Sequence, residues 1–358
     1  MQSFVDIFVG GLLSFILSDK SPKVDRCYYL KHPDYIYKEL PMDSIPECGN
    51  ENSRVVIISD THDSHSMIGT LPECETLIHC GDVMMTNKYF SPSISKKKLE
   101  NFNTWLGTCL ANERIVIGGN HDHYMEIAGH ETIQGILTNA KYLVNQPCSI
   151  GGLSAWATPL SLGRSPNRAF QSSIWQENTL SSAPSEVDIL ITHGFCPELI
   201  SKVTHKIHIW GHSHNSYGIR YPGDQLRVGR VTYTLNQLSI CVPMMNGRFR
   251  MRNLPVVIDI PKDSKRLTEI PNADQIRPHR YSYQTQLSNK RKHFQSKEEI
   301  YALQGITESG TTVTEQQSQT QSQTQGPRSV ESRKEKQLHP SYFQRFFKKS
   351  QSIVVPSG

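Results

Sequence analysis

Five short apolar runs constrain this chain more than any other feature: Val55 to Ile58, Leu77 to His79, Ile115 to Ile117, Val187 to Ile191 and Ile207 to Trp210. They are continuous rather than alternating, as expected of strands covered on both faces. Between them lie Gly, Asp, Asn and His clusters and segments of helical spacing, a rhythm that predicts an α/β layer architecture. Each run leads into residues able to bind metal: Asp60 and His62; Asp82; Asn120 with His121 and Asp122; His193; His212 and His214. Parallel strands deliver such residues together at their carboxyl ends, where sites in open α/β sheets lie. A lone His at a strand end is more often a hydrogen-bonded core residue, but five successive endings of this kind predict one shared site.

The donor types narrow the ion. Carboxylates, one amide oxygen and several imidazoles, with no thiolate, suit Mn²⁺ first, then Fe or Zn²⁺; Ca²⁺ would take oxygen throughout. A carboxylate shared by two cations brings them to roughly 3.5 to 4 Å, the spacing that clamps a phosphoryl group and a bridging water. Asp82, alone after its strand, is the expected bridge, and His121, beside the ligand Asn120, is the expected proton donor to the leaving oxygen. The expected cofactor is therefore two divalent metal ions, acting through a metal-bridging hydroxide.

A chain of 358 residues can bury a full core without needing two globular domains. Its formal charge of +5 sits at the end: from Pro261 onward there are 16 Lys+Arg against 9 Asp+Glu, and before it 22 against 24. The catalytic portion is thus no basic platform for extended nucleic acid. Eight cysteines without a C-x-x-C pair fit neither a zinc ribbon nor a secreted scaffold, and they point to the cytoplasm. The apolar stretch Phe4 to Leu17 contains Asp6 and is shorter than the roughly 20 residues a bilayer span needs, so it reads as a docked helix or weak interfacial anchor. Three parts follow: an irregular lead-in at 1–53, a catalytic domain at 54–264, and a polar, Gln-rich tail at 265–358 expected to be largely disordered. Within the tail, Tyr342, Phe343, Phe346 and Phe347 alternate with Arg345, Lys348 and Lys349, a pattern that could form an amphipathic helix on a membrane or protein partner. Leu99, Phe102, Leu106, Cys109 and Leu110 predict a helix with one apolar stripe. Further strands are expected around Thr232 to Leu235 and Val256 to Ile260.

Taken together, Asp60-Thr-His62, Gly81-Asp82, Gly119-Asn-His-Asp122, Thr192-His-Gly194 and Gly211-His-Ser-His214 resemble the calcineurin-like metallophosphoesterase signature from Arg54 to about Pro261. The resemblance implies a four-layer αββα sandwich with two mixed β-sheets. It also implies Asp60, His62, Asp82 and His214 at one metal, and Asp82, Asn120, His193 and His212 at the other. Asn101 to Gly107, Leu137-Thr-Asn139 and Thr192-His-Gly194 with Pro197 are similar to the metallophosphoesterase-domain-containing subgroup. That subgroup is placed with class III cyclic-nucleotide phosphodiesterases, which implies a small, nucleotide-type or other phosphodiester substrate. Two positions bear on this. Many members carry an acidic residue three positions after the bridging Asp, where Met85 stands here; some of the subgroup lose the first His of Gly-His-x-His, which His212 retains. The continuation after Gly81-Asp82 lacks the V-D-R-G of Ser/Thr protein phosphatases.

Competing readings are a weakly active or inactive scaffold of the same fold, motivated by Met85 and the tail, and a nuclease or nucleotide pyrophosphatase. His65, His79, His123, His130, His205 and His208 read as structural or supporting. Arg164, Arg168, Trp175 and Asn236 are weaker candidates for substrate contact.

Overall fold

The computed structural model describes residues 23–163 and 165–277, the side chains at 268 and 269 excepted. Two sheets carry the architecture. The first holds β1 (Arg26–Lys31), β2 (Lys38–Pro41), β3 (Asn52–Ile58), β4 (Cys74–His79), β5 (Ala111–Val116), β6 (Lys141–Tyr142) and β15 (Val256–Pro261), in the order β2-β1-β15-β3-β4-β5-β6. The second holds β7 (Gln146–Ile150), β8 (Leu153–Thr158), β9 (Ile189–Thr192), β10 (Ile207–Trp210), β11 (Gly218–Arg220) and β14 (Leu238–Cys241), in the order β11-β14-β10-β9-β8-β7. A separate hairpin joins β12 (Gln225–Val228) to β13 (Val231–Thr234).

Both sheets are mixed. β3 to β6 run parallel, as do β8, β9, β10 and β14, whereas β15 is antiparallel to β3 and β7 to β8. Alternate side chains of a strand point to opposite faces. Val55, Ile57, Ile78 and Ile115 of the first sheet therefore meet Ala155, Ile189, Ile191, Ile209 and Ile240 of the second in a core between the sheets. Val56, Ile58, Leu77 and Val116 face outward, against the helix α1 (Pro92–Thr108). Trp156 and Leu190 on the outer face of the second sheet pack with Ala183 and Val203, which follow α4 (Ser173–Ser182) and α5 (Pro197–Lys202), and with Leu199 of α5. The result is the expected four-layer αββα order. Two short helices, α2 (His123–Ala128) and α3 (His130–Ile136), follow β5.

Helix α1 opens with Pro92 in its first turn and buries Leu99, Phe102 and Leu106 completely. Full burial of side chains this size stabilises by about 1.5–3 kcal/mol each. The predicted stripe overruns the helix by two residues: the helix ends at Thr108, Cys109 follows as its cap and stays buried, and Leu110 is 59 % exposed before β5.

The segment read as an irregular lead-in contains β1 and β2, with Cys27, Tyr29 and Leu30 buried. β1 pairs parallel to β15, more than 220 residues later, and that partner is invisible in any local period. At the other end, the domain extends past the expected boundary at 265: Leu267, Ala273 and Ile276 sit in the inter-sheet core. Three apolar residues spread over ten positions show no periodicity. The expectations for Phe4 to Leu17 and for the aromatic, basic C-terminus lie outside the described residues. Thr232 to Leu235 belongs mostly to the separate hairpin, not to a main sheet. No helix among the described residues is long and apolar enough to cross a membrane.

Candidate metal centre

The parallel strands end on one edge of the molecule, and the backbone turns sharply there. Asp60, His62, Asp82 and His212 have φ of 52°, 43°, 52° and 63°. This left-handed conformation costs a non-glycine residue about 1–2 kcal/mol, and such strain clusters at functional sites. The turns are locked to one another: the Asp60 amide donates to Gly81 O (2.9 Å) and the His62 amide to Asp82 O (3.1 Å). At Gly119, between β5 and the Asn-His-Asp segment, a Cβ would overlap the Asp82 carboxylate and the His193 ring. Only glycine lets that loop approach so closely.

Donor atoms converge in three overlapping sets: Asp60, His62 and His214; His62, Asp82 and His121; Asp82, His193 and His212. Within each set they lie no more than 4.8 Å apart. His214 Nε2 is 3.3 Å from Asp60 Oδ1 and 3.4 Å from His62 Nε2. The two oxygens of Asp82 face different partners, Oδ2 lying 3.7 Å from His62 Nε2 and Oδ1 3.4 Å from His193 Nε2. Asn120 Oδ1 approaches His193 Nε2 at 3.1 Å, while its amide nitrogen donates to Ser165 Oγ and Asn167 O.

The ring tautomers fit cation binding. His193 Nδ1 donates to Cys80 O (2.7 Å) and His214 Nδ1 to Asn246 O (3.1 Å). A carbonyl oxygen can only accept, so each Nδ1 carries the proton and each Nε2 presents its lone pair inward when the ring is neutral. The carboxylates of Asp60 and Asp82 are 0 % and 2 % exposed, and buried charge requires opposite charge beside it. Burial alone would raise Asp60, but the hydrogen bond from His214 and the charges of His193 and His214 hold it down at about 2. Burial likewise opposes a low value for Asp82, yet His193 and His121 hold it well below the carboxylate range. Burial disfavours the charged form of His193, but Asp82 lifts that ring to about 9. Burial takes His62 down to about 3 and His212 to about 4, leaving both neutral and able to donate electron pairs. Oxygen and nitrogen donors clustered around two anionic carboxylates match divalent metal ions.

Asp122 lies beside the cluster in sequence but serves the loops instead. It accepts the backbone N–H groups of Val83, Met84 and Gly119, and burial, with Asp82 nearby, pushes it up to about 8. His121 reaches the centre, its ring 4.8 Å from that of His62 in an edge-on arrangement. No acid side chain extends from Met85, whose amide donates to Asp63 Oδ2, itself paired with Lys98. The polar group facing His121 is Asn167, whose Nδ2 is 3.1 Å from Nδ1.

A cleft of about 370 Å³ opens over the cluster, touching Asp82, Asn120, His121, His212 and His214 and walled by Leu162, Phe195, Trp210 and Phe249. Sequence reasoning missed Asn167 and these walls. Phe195 and Trp210 adjoin the Thr-His-Gly and Gly-His motifs and could have been flagged on that ground; Phe249 stands alone, with no local signal. Five of the six supporting histidines have hydrogen-bond partners: His79 and His208 bond Thr61 and Thr192, His65 bonds the exposed Asn101, and His130 and His205 bond backbone carbonyls, whereas His123 Nε2 has none among the described residues. Arg168 and Asn236 are exposed and outside the cleft lining, Trp175 packs edge-on against Phe170, and Arg164 lies outside the described residues.

Residues 53–216 match the family model described as calcineurin-like phosphoesterase. The chain is 27 % identical over 254 residues to human metallophosphoesterase domain-containing protein 1, covering 58 % of this chain and 71 % of that protein. It is 26 % identical over 260 residues to a UPF0046 protein of Caenorhabditis elegans, covering 59 % of this chain and 61 % of that one. Among solved structures, one titled as a novel archaeal phosphodiesterase aligns at 16 % identity with a TM-score of 0.26, over 56 % of this chain and 99 % of the other. With the motifs, layer order and donor cluster in place, residues 53–216 carry the features of the calcineurin-like phosphoesterase family, and that match supports a metal-dependent phosphoric ester hydrolase.

Proposed function

We propose that the chain is a phosphodiesterase for a small phosphodiester, working with two divalent cations. Asp60, His62 and His214 would hold one, Asn120, His193 and His212 the other, and Asp82 would serve both. The observation that carries this reading is the split of Asp82, whose two oxygens face two different donor sets. Cations held by these residues would supply Lewis acidity toward the phosphoryl oxygens and lower the pKa of a bound water toward neutrality.

The chain's own residues supply the rest. His121 faces the cleft beside both donor sets and gives its proton to the leaving oxygen, while Asn167 fixes its ring. Phe195 and Trp210 give the cleft a buried apolar wall, and beside such a wall electrostatic contacts are stronger than in open water. Among the described residues, no Lys or Arg lines the cleft. That favours a substrate with one negative phosphate over a polyphosphate or an extended nucleic acid, whose further charges would find no Lys or Arg among the described lining residues.

The test is hydrolysis of bis(p-nitrophenyl) phosphate by protein stripped of metal and reloaded with Mn²⁺, with Fe²⁺ and Zn²⁺ in parallel. Turnover should need the metal, vanish in Asp82→Ala, and fall by about 100-fold or more in His121→Ala at unchanged metal content. A wild-type protein that binds two metals but hydrolyses no diester refutes the reading.

A further inference from the structure

Phe249 is placed as no core residue would be. It belongs to no hydrophobic cluster among the described residues. Its ring neighbours are three imidazoles of the metal centre: His214 at 4.8 Å, His62 at 5.4 Å and His121 at 6.3 Å. It is only partly buried and lines the cleft. Its φ is 52°, a conformation that bulky residues avoid and that persists only where the surroundings enforce it.

The surroundings do enforce it. The Phe249 amide donates to Asn246 O (2.9 Å), the Asn246 amide to Arg250 O (2.9 Å), and Asn246 Oδ1 accepts the amides of Arg248 and Arg250. The turn is seated against the site through Asn246 O, which also accepts His214 Nδ1, and through Gly247, where a Cβ would collide with Asn215. A strained backbone, a hydrogen-bonded turn and a partly exposed aromatic ring lining the cleft beside the proton donor thus coincide, and packing into a hydrophobic cluster accounts for none of them.

We propose that Phe249 is a specificity-determining residue, on whose ring the flat, aromatic leaving group of the phosphodiester stacks. The inference rests on the phosphodiesterase reading and narrows its substrate class to diesters with a planar substituent, such as an aryl group or a nucleobase-bearing one. The leaving side is assigned because His121, the proton donor, edges the same ring. Stacking on an aromatic side chain tolerates many ring systems and contributes about tenfold or more in affinity per ring.

The experiment compares binding of phenylphosphonate and methylphosphonate to the full-length, Mn²⁺-loaded protein by calorimetry, for wild type, Phe249→Leu and Phe249→Tyr. Metal content is measured on each, and kcat and KM are measured for p-nitrophenyl methyl phosphate. Wild type should prefer phenylphosphonate by about tenfold or more, Phe249→Leu should fall within threefold of no preference, and Phe249→Tyr should keep it. KM should rise in the Leu variant while kcat stays within about threefold. Equal affinity of wild type for both phosphonates, or a preference that survives in Phe249→Leu, overturns the proposal. So does equal loss of both ligands together with metal, which would mark the residue as structural only. Binding is readable without turnover, so a protein that prefers phenylphosphonate but hydrolyses no diester would sink the phosphodiesterase reading and leave the aromatic slot standing.

Discussion

Replacing Asp259 by Ala should destabilise the protein by about 3–5 kcal/mol, the cost of breaking a buried ion pair by removing one partner. Asp259 is fully buried on β15 and has three donors. Arg54 on β3 gives it Nε at 2.8 Å and Nη2 at 2.9 Å, a two-pronged pairing, and Tyr29 on β1 gives its hydroxyl at 2.8 Å. The side chain of Arg54 is only 12 % exposed, so little water is available to replace the carboxylate. Truncation therefore leaves the Arg54 guanidinium with only the Pro46 carbonyl as acceptor among the described residues, and strands the Tyr29 phenol at the junction of three strands. In a domain of this size each kcal/mol lowers the melting temperature by about 2–4 °C, so the variant should melt about 6–20 °C below wild type. Tyr29→Phe, which removes one bond to the charged group, should cost about 1.5–3 kcal/mol. Both follow from thermal and urea unfolding monitored by circular dichroism. A loss under about 1 kcal/mol in Asp259→Ala would refute the reasoning. No effect of Tyr29→Phe would deny that β1 is fastened into the domain in this way.

Three further outcomes follow from the site and its frame. Asn167→Ala removes the polar neighbour of His121 and should lower kcat about 2–10-fold without loss of metal, as one neutral hydrogen bond is worth about 0.5–1.5 kcal/mol; an unchanged kcat would deny it the orienting role. Gly119→Ala forces a methyl group toward Asp82 and His193, so metal affinity measured by calorimetry should fall about tenfold or more, and wild-type affinity would show that the loop yields. Burial works against a charged Asp188, but bonds from Ser264, Ser154 and Lys206 win and lower its pKa. Its stabilisation is present above the ordinary carboxylate value of about 4 and is lost as pH falls through the lower folded value. The stability gap between wild type and Asp188→Asn should therefore be constant above about pH 5 and shrink below pH 4; a gap that ignores pH would count against this account.

The sequence by itself determined the parts that depend on local pattern. Continuous apolar runs marked β3, β4, β5, β9 and β10, and the polar residues that end them include every donor in the cluster around Asp82. These were legible because a strand covered on both faces must be apolar throughout, and because a parallel strand must deliver its chemistry at its carboxyl end. Only tertiary structure decided what depends on partners distant in the chain. β1 and β2 join the first sheet because β15 offers a strand edge; Leu267 and Ile276 are core because the inter-sheet space reaches them. Asn167, not a residue at position 85, is the side chain hydrogen-bonded to the His121 ring, and Phe249 overhangs three histidines drawn from separate loops. Residue type and spacing encode which groups are available, whereas the distance between groups from remote segments is set only when the sheets pack.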